Sequence, residues 1–147
     1  MLREHLIPNL ERSFPAENFK FYDDQNRIAT LPFPNGRGEL SIHDDGDEIT
    51  FYLGDITHCH FSQDYLGGDK YSPEEEVIEE AIEYLKDLLS DQVVFYRART
   101  GGRDGSIQRP SKEQLANVLA ECNCFVWSRP LNQETEQGAD GDAVEAV

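Results

Sequence analysis

Two histidines separated by a single residue are the side chains of this sequence best suited to chemistry. His58 and His60 stand in a β-rich segment, and residues two apart on a strand point to the same face. Two imidazoles are suitable ligands for zinc or a redox metal, and a third would come from Asp55 or Asp64, or from His43 if the strand continued unbroken from Tyr52. The spacing itself fixes no third ligand, however. The commoner interpretation of such a pair is strand histidines with polar partners.

Nucleophilic catalysis is not indicated by any motif. The chain contains no Gly-x-Ser-x-Gly turn, and no cysteine with a base and an orienting group at a recognisable spacing. Cys59 lies between the two histidines in the sequence, but on a strand it faces away from both. We therefore predict no catalytic residue and no cofactor.

The charge balance is the strongest compositional feature of the chain. The 147 residues include 29 acidic and 13 basic side chains, which gives a formal net charge of −16. Such an excess repels nucleic acid and anionic membranes, and it accelerates association with cationic partners. Composition therefore favours a basic protein as the partner and argues against nucleic acid or a membrane. An acidic surface that serves only solubility is the simpler alternative.

Two clusters of acidic residues are candidate partner-binding surfaces. One forms the tip of a predicted hairpin and comprises Asp44, Asp45, Asp47 and Glu48, and the other lies on a predicted helix and includes Glu75, Glu76, Glu79, Glu80 and Glu83. Tyr52 and Tyr65 are candidate aromatic anchors, because tyrosine is enriched at the centre of protein interfaces. The alternative for the helix is a face that is simply solvated.

Three helices are predicted from apolar periodicity and end signals. The first covers residues 1–14, where a leucine recurs at every fourth position, but Pro8 removes a backbone donor and is expected to restrict the helix to one side. The second begins with a capping box at Ser72 and runs to about Ser90, and the third begins at Ser111.

The clearest β signal is a hairpin closed by Asp45-Gly46, since glycine tolerates the positive φ of a tight turn. A two-residue turn there pairs Ile42 with Ile49 and Leu40 with Phe51, and it places all four apolar side chains on one face. The opposite face is polar.

Further strands are predicted at residues 28–33, placed at a sheet edge by their prolines, at 93–98 in a central position, and at 124–127. The element order predicts an α+β fold in which an antiparallel sheet of about five or six strands carries two or three helices packed on one face. We expect a single domain over residues 1–130 and a disordered acidic tail over residues 131–147.

Cysteine usage and hydropathy indicate the cellular compartment in which the protein is expected. The three cysteines have no disulfide-framework spacing. The N-terminus lacks the apolar stretch of a signal peptide, and no window approaches the ~20 apolar residues of a membrane helix. These features predict a cytoplasmic protein.

Two segments resemble parts of a known class of proteins. The stretch from Gly54 to Phe61 and the acidic helix start Ser72-Pro73-Glu74-Glu75-Glu76 are together similar to small acidic bacterial immunity-type proteins of polymorphic toxin systems. The likeness covers roughly residues 39–99 and consists of a hairpin, a His-x-His-Phe segment and an acidic helix. It implies a stoichiometric inhibitor without catalysis, so no catalytic residue is carried over.

Three functions are compatible with these observations. The leading hypothesis is a non-enzymatic, acidic protein-binding module, an immunity or inhibitor protein that neutralises a basic toxin such as a nuclease. The first alternative is a small metal-binding protein or metal-dependent enzyme that uses His58 and His60. The second alternative is an acidic scaffold subunit of a larger assembly.

Overall fold

The computed structural model describes residues 2–34, 36, 38–46, 48–62 and 74–132. The chain divides into two compact units, Met1–Lys86 and Asp87–Val147. The described residues form one five-stranded and one three-stranded sheet and three helices, and every strand pair among them is antiparallel. The predicted α+β class is therefore confirmed. No helix among the described residues has both the length and the apolarity that crossing a membrane requires.

The first unit contains the five-stranded sheet, in which the strands are neighbours in chain order. Its elements are helix α1 (Leu2–Ser13), strands β1 (Lys20–Phe21), β2 (Arg27–Pro32), β3 (Glu39–Asp44), β4 (Glu48–Leu53) and β5 (Thr57–Ser62), and most of helix α2 (Glu74–Leu89). One face of the sheet is apolar and buried, as the alternation of residue types in β3 and β4 predicts.

The β3–β4 hairpin has the predicted faces, but the predicted register is wrong. Ile42 lies opposite Phe51, two residues from its predicted partner. The N–H of Asp45 donates to the carbonyl of Glu48 (2.9 Å), so the turn is centred one residue later than predicted. Gly46, with a φ of 98°, then takes the first central position, where both common hairpin turns require a positive φ. A shift of two residues keeps every side chain on its face, so alternation could not reveal it.

Strand β2 does not lie at the sheet edge, contrary to the prediction from its prolines. It pairs with β1 on one side and with β3 on the other. The edge strand β1 has only two residues, which pair with Ala29 and Thr30. Pro32 lies beyond this short pairing, so its missing N–H costs no hydrogen bond to β1.

Helix α1 continues through Pro8, so the expected restriction to one side of the proline is wrong. The three leucines of the predicted stripe are buried and lie on both sides of the proline. Burying each leucine contributes about 1.5–3 kcal/mol, which together outweighs the roughly 3 kcal/mol cost of an internal proline. The side-chain amide of Asn9 also donates to the carbonyl of His5 (2.7 Å), one turn earlier, where the proline disturbs the backbone ladder.

Helix α2 packs on the apolar face of the five-stranded sheet. The ring of Tyr84 contacts the rings of Phe51 and Phe61, with centroids 5.9 and 5.7 Å apart. The predicted apolar stripe of the helix is buried, including Val77, Ile78, Ala81, Ile82, Leu85 and Leu88. The predicted helix start at Ser72 lies outside the described residues.

The second unit contains a three-stranded sheet that the sequence did not distinguish from the first. Its elements are β6 (Val93–Ala98), β7 (Gly105–Gln108), helix α3 (Lys112–Glu121) and β8 (Cys122–Phe125). Strand β6 lies between β7 and β8, which confirms its central position. Helix α3 packs Leu115, Val118 and Leu119 against a cluster of buried side chains from this sheet.

Both ends of helix α3 are capped by side chains. The Ser111 hydroxyl accepts from the N–H of Gln114 (3.1 Å), and the Gln114 side chain accepts from the N–H of Ser111 (2.9 Å), which confirms the predicted helix start and completes its capping box. At the other end the guanidinium of Arg99 donates to the carbonyls of Leu119 (3.4 Å) and Cys122 (3.2 Å).

The first two residues of the predicted tail are hydrogen-bonded to β8. The N–H of Leu131 donates to the carbonyl of Cys124, and the side-chain oxygen of Asn132 accepts from the N–H of Cys124, both at 2.8 Å. The chain from residue 133 onward lies outside the described residues.

Candidate functional site

Two acidic residues at the β3–β4 tip, the exposed Asp45 and the half-buried Glu48, are bonded to their own neighbours. The carboxylate of Asp45 accepts from the Thr50 hydroxyl (2.7 Å), and a Glu48 oxygen lies 2.9 Å from Nδ1 of His60. Thr50 and His60 face each other across β4 and β5, 3.0 Å apart. Binding a partner here would exchange one set of hydrogen bonds for another, which yields little net free energy.

Asp44 does not belong to the exposed part of the tip. It lies opposite Ile49 on the apolar face of the sheet and is only 7% exposed. One of its carboxylate oxygens accepts from the N–H of Gly46 (3.0 Å), so Asp44 stabilises the turn. Asp47, the remaining acidic residue of the predicted tip, and Tyr65, one of the two candidate aromatic anchors, lie outside the described residues.

The acidic residues of helix α2 are arranged differently. Glu75, Glu76, Glu79, Glu80 and Glu83 are all exposed. Glu83 pairs with Lys86 (3.4 Å), whereas the other four have no ion-pair partner among the described residues. They form two like-charged pairs at i,i+4 spacing, an arrangement that destabilises a helix by a few tenths of a kcal/mol per pair. Of the two predicted surfaces, helix α2 is therefore the one whose described carboxylates mostly lack ion-pair partners.

The two predicted surfaces lie on opposite sides of the first unit. Helix α2 covers the apolar face of the sheet through Tyr84, so its exposed carboxylates point away from that face. Glu48 and Tyr52 lie on the other face of the sheet, because they alternate with the buried Ile49 and Phe51. The structure thus separates the tip residues from the helix residues, and one flat contact cannot include both.

A row of rings occupies the outer, polar face of the sheet. The ring of Tyr52 lies between those of His43 (4.9 Å between centroids) and His58 (5.8 Å), and His60 follows 4.9 Å beyond His58. The three histidines share this face because β3, β4 and β5 lie side by side, not because one strand runs unbroken. Tyr52 is 41% exposed.

The described residues include no group of three or more His, Cys, Asp or Glu side chains arranged to hold a metal ion. Two of the row histidines have polar partners instead. Nδ1 of His60 faces Glu48, and Nε2 of His43 lies 2.9 Å from the Ser41 hydroxyl.

Cys59 lies on the opposite side of β5 from the histidines, as the strand alternation predicts. It is opposite Phe51 in the ladder and lies beside Tyr84. Burial raises the pKa of the Cys59 thiol to about 12, despite a hydrogen bond from Tyr84 that lowers it. Thiolate chemistry at neutral pH is therefore suppressed at this residue.

A groove runs between helices α1 and α2 within the first unit. Its volume is about 550 Å³, within the range of ligand and peptide sites. The apolar side chains in it are Pro8, Ile78 and Ile82, and Glu75 and Glu79 stand among its acidic residues. Three of the exposed carboxylates of α2, those of Glu75, Glu79 and Glu83, therefore line a concave surface.

The α1 side of this groove was not among the predicted site residues. It includes Glu4, His5 and Arg12, and Nδ1 of His5 lies 3.0 Å from a carboxylate oxygen of Glu74. Sequence periodicity showed that these polar residues lie off the buried stripe of α1. No sequence signal indicated that this exposed flank lies beside α2, since residues more than 60 apart meet there.

Comparisons with known proteins do not assign the chain to a family. No protein-family model matches it, and no similar chain was found among curated proteins or solved structures.

Proposed function

We propose that this chain is a non-enzymatic binding protein for a basic protein partner, and that it acts as an inhibitor of that partner in the manner of an immunity protein. The contact is made by the exposed carboxylates of helix α2. The net charge of −16 steers a cationic partner towards the chain, and the helix supplies the local surface on which the partner is held.

The observation that carries this proposal is the unsatisfied charge of helix α2. Glu75, Glu76, Glu79 and Glu80 are exposed and have no ion-pair partner among the described residues. A basic partner would relieve the repulsion within the two i,i+4 pairs and would form new ion pairs without breaking existing ones. At the β3–β4 tip, by contrast, Asp45 and Glu48 already have local partners.

The test begins with native mass spectrometry of the chain purified gently from its own cells. We expect a one-to-one complex with a basic protein. Association kinetics with that partner are then measured for a variant in which Glu75, Glu76, Glu79 and Glu80 are replaced by glutamine. Association should slow by about tenfold or more at low salt and lose much of its salt dependence.

A matched control removes the same amount of charge elsewhere. The control variant replaces Glu11, Glu17, Glu113 and Glu121, all exposed, by glutamine. It should retain most of the association rate, since it keeps the helix surface. Equal losses in the two variants would reduce the role of α2 to net charge alone and contradict the proposed contact.

Inhibition distinguishes the proposed role from that of a scaffold subunit. The partner's activity is assayed with and without one equivalent of the chain, and its toxicity is assayed in cells with and without co-expression. We expect both to be suppressed. A stable complex in which the partner remains fully active would identify the chain as a subunit of an assembly.

A further inference from the structure

We infer that the groove between helices α1 and α2 receives a short, extended segment of a basic protein, with basic side chains at the rim and an apolar side chain on the floor. This inference rests on the proposed function, because it names the part of the partner that the acidic helix binds. It goes further in assigning the contact to one flank of that helix.

The dimensions of the groove indicate an extended segment. The lining residues of α2 run from Glu75 to Lys86, and at 1.5 Å per residue this is a length of roughly 16 Å. An extended chain advances about 3.3 Å per residue, so about five residues fill the groove. The volume of about 550 Å³ lies within the range of known ligand sites.

The floor of the groove is apolar and the helices supply it from both sides. Ile78 and Ile82 lie on α2 and are 3% and 6% exposed, so the floor is packed. Pro8 faces them from α1 and is exposed. An apolar side chain from the partner would cover this proline and the remaining exposed edge of the isoleucines, and the burial of this apolar surface favours binding.

The rim of the groove determines the charge of the occupant. Glu75 and Glu79 stand four residues apart on the α2 rim, without ion-pair partners among the described residues. The lining also contains Arg12 and Lys86, and Lys86 pairs with Glu83 (3.4 Å), but four carboxylates outnumber these two basic side chains, so the groove is net negative. Charge complementarity therefore selects a cationic segment.

Helix α2 contains its own matched control for this inference. Glu76 and Glu80 have the same spacing, charge and exposure as Glu75 and Glu79, but they do not line the groove. Replacing either pair by glutamine removes two charges from the same exposed helix. Any difference between the two double variants therefore reports on the groove and not on net charge or helix stability.

The probe is a synthetic peptide amide of sequence Lys-Leu-Lys-Leu-Lys, titrated into the isotopically labelled full chain and followed by NMR. We expect the methyl resonances of Ile78 and Ile82 to shift, while those of Ile42 and Ile49 in the sheet do not. Glu75→Gln with Glu79→Gln should weaken binding about fivefold or more, because two ion pairs at the rim are lost. Glu76→Gln with Glu80→Gln should weaken it less than twofold.

Two control peptides separate charge from apolar contact. Lys-Ser-Lys-Ser-Lys should bind several-fold more weakly than the leucine peptide, and Glu-Leu-Glu-Leu-Glu should not shift the isoleucine methyls. Absence of binding by the leucine peptide, or shifts confined to residues outside the groove, would overturn the inference.

The result also separates this inference from the proposed function. Equal weakening by the two double variants would overturn the groove as the site, and it would leave the acidic helix as the contact surface. If the native partner's association rate is unchanged by all four substitutions, the proposed function fails, whatever the peptide does.

Discussion

Asp87 lies near the end of helix α2 and is the first residue of the second unit. Its carboxylate is stabilised by neighbours within that unit. Arg109 donates from Nε to one oxygen (3.0 Å) and from Nη2 to the other (2.6 Å), and the Gln108 side chain adds a third bond (2.6 Å). The hydrogen bonds from Arg109, together with that from Gln108 and the positive charge of Arg109, lower the pKa of Asp87, although burial opposes this. A bidentate contact of this kind is stronger than a neutral hydrogen bond.

Removing the guanidinium should destabilise the chain in a pH-dependent way. We expect Arg109→Gln to lower the free energy of unfolding by about 1–3 kcal/mol at pH 7. Because the pKa of Asp87 is lower in the folded state than in the unfolded state, its contribution is fully present above its ordinary pKa of about 3.9 and is lost as the pH falls through the folded value. Urea unfolding at pH 7 and at pH 3 measures this. A difference between variant and wild type that fails to shrink at pH 3 would contradict the assignment.

At the scale of the element, helix α1 combines a strong amphipathic pattern with a residue that disfavours helices. Pro8 lacks the N–H that would bond to the carbonyl four residues earlier, and its ring crowds that carbonyl. The helix nevertheless extends from Leu2 to Ser13, because leucines are buried both before and after the proline. The exposed proline also faces the groove, so a locally unfavourable residue stands at the proposed binding surface.

Replacing this proline should stabilise the chain. We expect Pro8→Ala to raise the free energy of unfolding by about 1–2 kcal/mol, since restoring the backbone bond outweighs the greater freedom of the unfolded chain. The urea midpoint measures the change. Pro15→Ala, just after the helix, is the control and should give no such gain. A lower midpoint for Pro8→Ala would show that the proline contributes more to packing than it costs in the helix.

At the scale of the whole molecule, the net charge of −16 opposes compaction. Self-repulsion among exposed carboxylates is reduced by salt, because the Debye length falls from about 30 Å at 0.01 M to about 8 Å at 0.15 M. The like-charged pairs of helix α2 add a local contribution of the same sign. The carboxylates of the proposed binding surface therefore lower the stability of the fold, as is common where function requires exposed charge.

This conflict predicts a specific response to salt. The Tm should rise between 0.01 and 0.15 M NaCl, as followed by circular dichroism. Glu80→Gln should stabilise the chain by about 0.2–0.5 kcal/mol at low salt and by less at high salt, since it removes one repulsive i,i+4 pair and leaves Glu76 in the first turn, at the positive end of the helix dipole. A Tm that is independent of salt, or lower at 0.15 M, would show that attractive ion pairs dominate the electrostatics of the fold.

The sequence by itself determined the features that depend on local periodicity and capping. The leucine stripe of α1, the apolar stripe of α2 and the alternation of β3 and β4 established which faces are buried, and the Ser111 capping box established the start of α3. These follow from side-chain geometry within one element. The exposure of the α2 carboxylates follows in the same way, because they occupy the face opposite the buried stripe.

Only the tertiary structure decided the features that depend on contacts between distant residues. The register of the β3–β4 hairpin, in which the N–H of Asp45 donates to the carbonyl of Glu48, could be read only from the paired strands. A shift of two residues leaves the face pattern unchanged, so the sequence did not reveal it. The local partners of Asp45 and Glu48 arose from cross-strand neighbours, and the groove arose from the packing of α1 beside α2. Residue types and spacing along the chain contain no direct record of such long-range contacts.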